Sequence, residues 1–424
     1  MGRLFAPGDT PGEIVSKLTA AAVEALADPG VRSHFADFGT EVLPPERQTP
    51  QPLGALVKAE AKTGPIPSAD SVTGLKRQEA TVGKVCKIVL CAATAMVLAS
   101  LAARAEDPVL RIAKQGSMEA GGRAINCATN DGGDPNSRRF PSGHVVVDNV
   151  YATFQYPADQ RYPYPILFNS GGGHTARVYD TTPDGREGWL TLFMRQGFPV
   201  YGVDRTNTGR SGTDICKINA VKLGKAPPAE LPAINRYAAE SSWVTFRWGP
   251  KFGEPYTNTQ FPIAFADAYY PQMISTYRDP VETPKSVAAF AALIDKIAEP
   301  VIIQSWSSSG LLGYLTAIER SERVKGILAV ETSVTAFDMI PAEGRQKLAK
   351  IPIYIVIGDH AEDRVEASRK FQKEMAAIGG HVTVDVLPEA GIYGNGHTMM
   401  LEKNNKQIMY RMIAWLEGNV FEPK

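Results

Sequence analysis

The chain has no run of 18 or more apolar residues, so no stretch reads as a membrane span. It has no surplus of either charge, with 45 basic residues against 45 acidic ones. Without a basic excess there is no reason to expect a nucleic-acid partner, and without an acidic tail there is none to expect a disordered arm. Four cysteines in 424 residues are too few for a disulfide scaffold. No internal repeat is present. A Gly-rich turn at 171–173 comes with neither G-x-G-x-x-G nor a P-loop lysine. His174, His360 and His397 fall in unrelated loops without metal-ligand spacing. No cofactor and no metal are therefore expected. What the chain does have is 44% hydrophobic residues, enough for a large buried core.

The most informative segment is Val301 to Tyr314, VIIQSWSSSGLLGY. A β-branched apolar run breaks into a cluster of small residues, and an apolar helix-compatible run follows at once. That is the strand–turn–helix layout of a nucleophile elbow, usually written G-x-S-x-G. Ser305, Trp306, Ser307, Ser308 and Ser309 occupy the five positions, so serine replaces both glycines. The turn is tight and demands small residues; serine meets that demand less well than glycine. A Ser-rich surface loop is the alternative.

Around the elbow, strand-like runs alternate with helical stretches: Val145 to Gln155, Tyr164 to Phe168, Val200 to Asp204, Val324 to Val330, Ile351 to Ile357 and His381 to Leu387. This alternation predicts an α/β fold with a mostly parallel, doubly covered sheet. Such sheets place their sites at the carboxyl ends of strands, and the elbow, Asn169 to His174, Glu331, Asp359 and His397 all follow strand ends. The segment Glu106 to Pro141 reads as irregular. Residues 213–300 are far longer than one connecting helix requires, and predict an inserted cap. Its aromatics, Trp243, Phe246, Trp248, Tyr256, Phe261, Tyr269 and Tyr270, either line a site or pack the insertion; taken singly, packing is the better reading.

Residues 72–105 have the three parts of a secretory signal. Lys76, Arg77, Lys84 and Lys87 are the basic region, Ile88 to Leu101 the apolar run, and Ala103-Arg104-Ala105 the cleavage site. A buried core helix is the alternative. A periplasmic or secreted catalytic domain at 106–424 follows, in which Cys127 and Cys216 either pair or remain as buried thiols.

A serine nucleophile needs a base, and the base needs an orienting carboxylate. In this fold the chain order is Ser, acid, His. Ser307 is the expected nucleophile. Of His144, His174, His360, His381 and His397, only His397 lies in a loop after the last predicted strand, within Gly394-Asn395-Gly396-His397. For the acid, Asp359 and, more weakly, Glu362 remain in reach, because alanine occupies the last position of the expected G-x-x-D stretch, Gly358 to Ala361. Glu331, one strand earlier, is favoured over Asp359 because its extra methylene lets it reach the same imidazole edge. The oxyanion donors are expected to be the Ser308 N–H and one from Gly172 or Gly173.

The blocks TTPDGREGW (181–189), INAVKLGKAP (218–227), FRWGP (246–250), TQFP (259–262) and GNGHTMM (394–400) resemble a small group of bacterial periplasmic α/β-hydrolase esterases. The strand ending in Asp204 with the closing turn Gly209-Arg210-Ser211 is similar to one that α/β-hydrolases commonly carry. The resemblance to the esterase group runs over most of 145–417. It implies an α/β-hydrolase fold, a Ser–His–Glu triad of Ser307, His397 and Glu331 with the acid after the sixth strand, a homodimer, and action on a small-molecule ester. Trp306 stands where the group commonly has histidine, and Gly172 and Gly173 where a member has adjacent cysteines. The expected activity is hydrolysis of a carboxylic ester or lactone through an acyl-enzyme. The alternatives are an acyltransferase or amidase with the same triad, or a non-catalytic periplasmic binding protein. Ahead of the signal, FAPGDT (5–10), EIVSKL (13–18) and ALADPGV (25–31) resemble the C-terminal end of the Bug family of tripartite-tricarboxylate solute receptors. Residues 1–71 are thus expected to be a receptor-like remnant or an upstream extension called too early, with Val72 the true start if its codon is GTG.

Overall fold

The computed structural model describes residues 12–27, 109–127, 143–278, 282–332 and 339–421. The expected signal 72–105, and all of 1–71 except 12–27, lie outside the described residues. The chain divides between Ala105 and Glu106 into two units. In the first, Gly12–Ala27 is a helix.

The second unit is built on strands β1 (Ile112–Cys127), β2 (Gly143–Pro157), β3 (Ile166–Asn169), β4 (Val200–Asp204), β5 (Ala233–Asn235), β6 (Thr276–Arg278), β7 (Val301–Trp306), β8 (Val324–Val330), β9 (Ile353–Ile357) and β10 (Val382–Val386). Eight of them form one sheet in the order β1-β2-β4-β3-β7-β8-β9-β10, and β5 and β6 pair separately. β2 runs antiparallel to both its neighbours, β1 and β4, and from β4 to β10 every pairing is parallel. This is an α/β-hydrolase sheet.

Side chains alternate across the strands, so two cores form. Ile166, Phe168, Ile302, Trp306, Leu328, Val330, Tyr354 and Val356 face one layer, packed by helices Trp189–Arg195 and Asn405–Asn419. Leu167, Ile303, Ile327, Ala329, Ile353 and Ile355 face the other, packed by helices Glu282–Ile297, Gly310–Glu319 and Glu362–Ala376. Burial on both faces explains why the central strands read as continuous apolar runs. Each fully buried aliphatic side chain contributes roughly 1.5–3 kcal/mol. The Asp204 and Gly209-Arg210-Ser211 block ties loops together. The buried Asp204 carboxylate accepts the Ala176 N–H at 2.8 Å and Arg210 Nε at 2.8 Å, and Ser211 Oγ donates to Asp204 O at 2.7 Å.

One reading needs correction. The stretch expected to be irregular contains the 16-residue strand β1. It is polar and mostly exposed, so it carries no apolar alternation; its pairing with β2 from Ile112 to Cys127 makes it a strand. Most of the named aromatics of 213–300 pack the segment's interior, as expected for each taken singly. Trp243, Phe246, Trp248, Phe261 and Tyr269 are buried, and Trp248 stacks on Phe261 at 3.6 Å between ring centroids. The final helix of that stretch, Glu282–Ile297, packs against β1 and β2. Cys127, at the end of β1, is disulfide-bonded to Cys216 with Cα atoms 5.5 Å apart.

Candidate active site

Parallel register brings the ends of β3, β7, β8 and β9 level: Asn169 lies opposite Ser305, Trp306 opposite Val330, and Val330 opposite Val356. The residues that follow these ends form the site. Ser307 has φ +56°, the strained left-handed conformation that an elbow imposes on its central residue. The two serines at the motif's glycine positions are accommodated differently. Ser305 is buried against Gly313, where any Cβ would collide with Ser305 Oγ. Ser309 Oγ accepts the Trp306 N–H at 2.9 Å and lies 3.2 Å from Asn169 O, joining the turn to β3. Gly171 leaves the room that Trp306 and Ser307 occupy; a Cβ there would sit 2.9 Å from Ser307 Cβ.

Ser307 Oγ is 2.8 Å from His397 Nε2, and His397 Nδ1 is 3.2 Å from Glu331 Oε2. Glu331 is fully buried, and its other oxygen accepts the Gly358 N–H at 2.6 Å. Arg247 Nη2 lies 2.6 Å from Glu331 Oε2, and Arg364 Nε 3.7 Å from it. Burial alone would raise the Glu331 pKa, but Arg247, the His397 bond and Arg364 outweigh it and hold it down at about 2. His397 is pushed down to about 4 by burial, with Glu331 opposing and Arg247 and Arg364 adding to the fall. The imidazole is therefore neutral at ordinary pH and free to accept a proton at Nε2.

Asp359, the other candidate acid, faces elsewhere. Its Oδ2 accepts the Asn395 N–H at 3.1 Å, and its own N–H donates to Asn395 O at 2.7 Å. It fastens the histidine loop and does not meet the ring. His360 stacks on Tyr256 with centroids 4.0 Å apart. Gly172 and Gly173 lie beside the elbow, where a Cβ on Gly172 would be 3.3 Å from Ser308 Oγ. Together with Asn235, Arg236, Tyr237, Ser241 and Thr276 they line a cavity of about 230 Å³. Among the described residues, no group of three or more His, Cys, Asp or Glu is placed to hold a metal ion, and no helix is long and apolar enough to cross a membrane.

Sequence reading missed several residues that hold His397. Arg247 belongs to the quoted FRWGP block, but nothing in that block announces a partner for Glu331. Phe246 O accepts the His397 N–H at 2.9 Å, and its ring lies parallel to the imidazole. Trp306 Nε1 donates to His397 O at 2.7 Å, so the residue that departs from the group's histidine fastens the His397 loop to the elbow. Buried Glu402 accepts the Gly396 N–H at 2.8 Å and Asn395 Nδ2 at 2.6 Å. Burial raises its pKa to about 8 despite those two donors.

No protein-family model matches the chain. A probable secreted lipase of a fungus (strain ATCC 74256) is 27% identical over 346 residues, spanning 68% of this chain and 90% of the lipase. A solved structure described as a novel bacterial esterase is 32% identical, with a TM-score of 0.68, and the match covers 74% of this chain and 98% of that one. This chain belongs to the α/β-hydrolase esterase family. The esterase is a secreted carboxylic ester hydrolase. An extracellular destination also suits its disulfide, because cross-links persist in oxidising compartments.

Proposed function

We propose that the esterase hydrolyses a small carboxylic ester or lactone through an acyl-enzyme, with Ser307 as nucleophile, His397 as general base and Glu331 as the orienting carboxylate. The observation that carries this is the continuous contact from Ser307 Oγ through both imidazole nitrogens to the Glu331 carboxylate. A carboxylate can only accept, so Nδ1 carries the ring proton and Nε2 presents its lone pair to the serine hydroxyl. As Oγ attacks the ester carbonyl, its proton passes to Nε2. Ionised Glu331 stabilises the imidazolium, which then protonates the departing alcohol oxygen. Water repeats the sequence on the acyl-serine and releases the acid.

The carbonyl oxygen becomes negative in the tetrahedral intermediate. The Ser308 N–H and an N–H of the Gly172–Gly173 turn are the proposed donors, and losing one such donor lowers kcat by about 10²–10³-fold in serine hydrolases. The cavity beside these glycines, about 230 Å³, favours a short acyl or alcohol group. A periplasmic location and a homodimer are part of the same proposal; cell fractionation and light scattering test them.

The deciding experiment is hydrolysis of p-nitrophenyl esters from acetate to long acyl chains, by the protein and its Ser307→Ala variant. Activity that is highest on short chains and absent from the variant supports the reading. Activity retained by the variant refutes it.

A further inference from the structure

The Gly172–Gly173 turn has a feature that the triad does not use. His174 and Tyr269 are both fully buried. His174 Nδ1 is 2.8 Å from Gly172 O, and Nε2 is 2.6 Å from the Tyr269 hydroxyl. We propose that His174 is a positioning residue that turns the Gly172–Gly173 peptide so that the Gly173 N–H faces the developing oxyanion, with the Tyr269 hydroxyl fixing the imidazole tautomer that does so. The proposal rests on Ser307 being the nucleophile.

A carbonyl oxygen only accepts, so His174 Nδ1 must carry a proton. A neutral imidazole has a single N–H; Nε2 is therefore an acceptor and takes the Tyr269 O–H. Both groups are held in those states. Burial pushes the His174 pKa down to about 4 against the opposing pull of the Gly172 bond, with His397 and Arg205 lowering it further. Burial also keeps the Tyr269 phenol protonated by raising its pKa well above the ordinary value.

A trans peptide points its C=O and N–H in opposite directions. With Gly172 O turned into the buried imidazole, the Gly173 N–H is turned the other way. Gly172 and Gly173 both line the cavity beside the elbow. The next carbonyl is also fixed, because Gly173 O accepts the Ile274 N–H at 2.8 Å. The Gly173 N–H itself has no backbone acceptor among the described residues. Two consecutive carbonyls are thus fixed by partners, and it is the amide between them that the proposal directs at the cavity. Tyr269 and Ile274 both belong to the stretch 213–300 expected to be an insertion, so under the proposal that stretch sets the geometry of the oxyanion site.

A histidine that only fills space would be replaceable by phenylalanine. The test compares kcat, KM, melting midpoint and inhibition by a trifluoromethyl ketone, which forms a tetrahedral adduct, for the unmodified protein and for Ser307→Ala, His174→Phe, His174→Asn and Tyr269→Phe. His174→Phe is expected to lower kcat by about 10–10²-fold, below the full loss of a donor, with KM changed by less than about threefold and ketone affinity reduced by a similar factor to kcat. Asn places an amide N–H near the position of Nδ1, so His174→Asn is expected to recover kcat to within about fivefold of the unmodified protein. Tyr269→Phe is expected to fall between the two.

The proposal is overturned if His174→Phe keeps kcat within about threefold, if His174→Asn is no better than His174→Phe, or if a rise in KM accounts for the loss. Should His174→Phe not fold, the other two variants decide: unchanged kcat in Tyr269→Phe, or a His174→Asn variant that folds but is nearly inactive, overturns it. Activity surviving Ser307→Ala would instead remove the underlying mechanism, so the two failures are distinct.

Discussion

Glu331→Gln removes one negative charge and keeps the side chain's length. With His397 Nδ1 3.2 Å from Glu331 Oε2, the attraction between the carboxylate and an imidazolium is about 5 kcal/mol at an effective dielectric near 20. At roughly 1.4 kcal/mol per decade, that is a loss in kcat on the order of 10³-fold. Arg247 and Arg364 remain beside the ring, at 2.6 and 3.7 Å from the former carboxylate oxygen, and now oppose formation of the imidazolium. The expected loss therefore approaches about 10⁴-fold. Arg247 is left buried without its counter-charge, so stability should also fall, by about 3–5 kcal/mol. The assay is p-nitrophenyl acetate turnover, at a temperature where the melting curve shows the variant folded. Asp359→Asn is the comparison: asparagine still accepts the Asn395 N–H, and kcat should stay within about tenfold. A loss in Asp359→Asn equal to that of Glu331→Gln, or a Glu331→Gln enzyme within about thirtyfold of the unmodified one, would refute the assignment of the acid.

Because His397 is pushed down to about 4, its basic form persists above that pH; kcat/KM should stay level from neutrality to about pH 5 and drop by half near pH 4. Arg247 lowers the His397 pKa, so Arg247→Met should move the acid limb upward; a downward move would contradict the electrostatic reading. Gly313→Ala places a methyl group against Ser305 Oγ and should lower stability by about 1–3 kcal/mol. Adding Ser305→Gly should restore most of it in a double-mutant melting cycle. The Cys127–Cys216 bond spans 89 residues of sequence; chain entropy alone gives about 4–5 kcal/mol for a loop that long. Cys127→Ser with Cys216→Ser should accordingly lower the melting midpoint measurably, and an unchanged midpoint would mean that the unfolded chain gains little freedom from the loss.

The catalytic candidates were legible where chemistry needs a particular residue in a particular local setting. Ser307 follows an apolar strand in a cluster of small residues, and His397 sits in a glycine-flanked loop after the last strand. Glu331 was separable from Asp359 by side-chain reach. The fastening of these groups was not legible. Arg247, Trp306, Phe246 and Glu402 act on His397 or Glu331 through contacts between segments far apart in sequence, and none has a local signature. β1 escaped notice because a polar edge strand is defined by hydrogen bonds to its neighbour and carries little alternation of its own.

The sequence by itself determined the α/β layering, through alternating apolar strands and helices, and it singled out Ser307 and His397 as candidates, because an elbow and a terminal histidine loop are local patterns. Tertiary structure alone decided that Cys127 and Cys216 meet, that Arg247 lies against Glu331, and that Asp359 turns to Asn395. Each depends on which surfaces meet when the sheet and its insertion close on one another. Such contacts are set by the geometry of the whole unit, and no single window of residues encodes them.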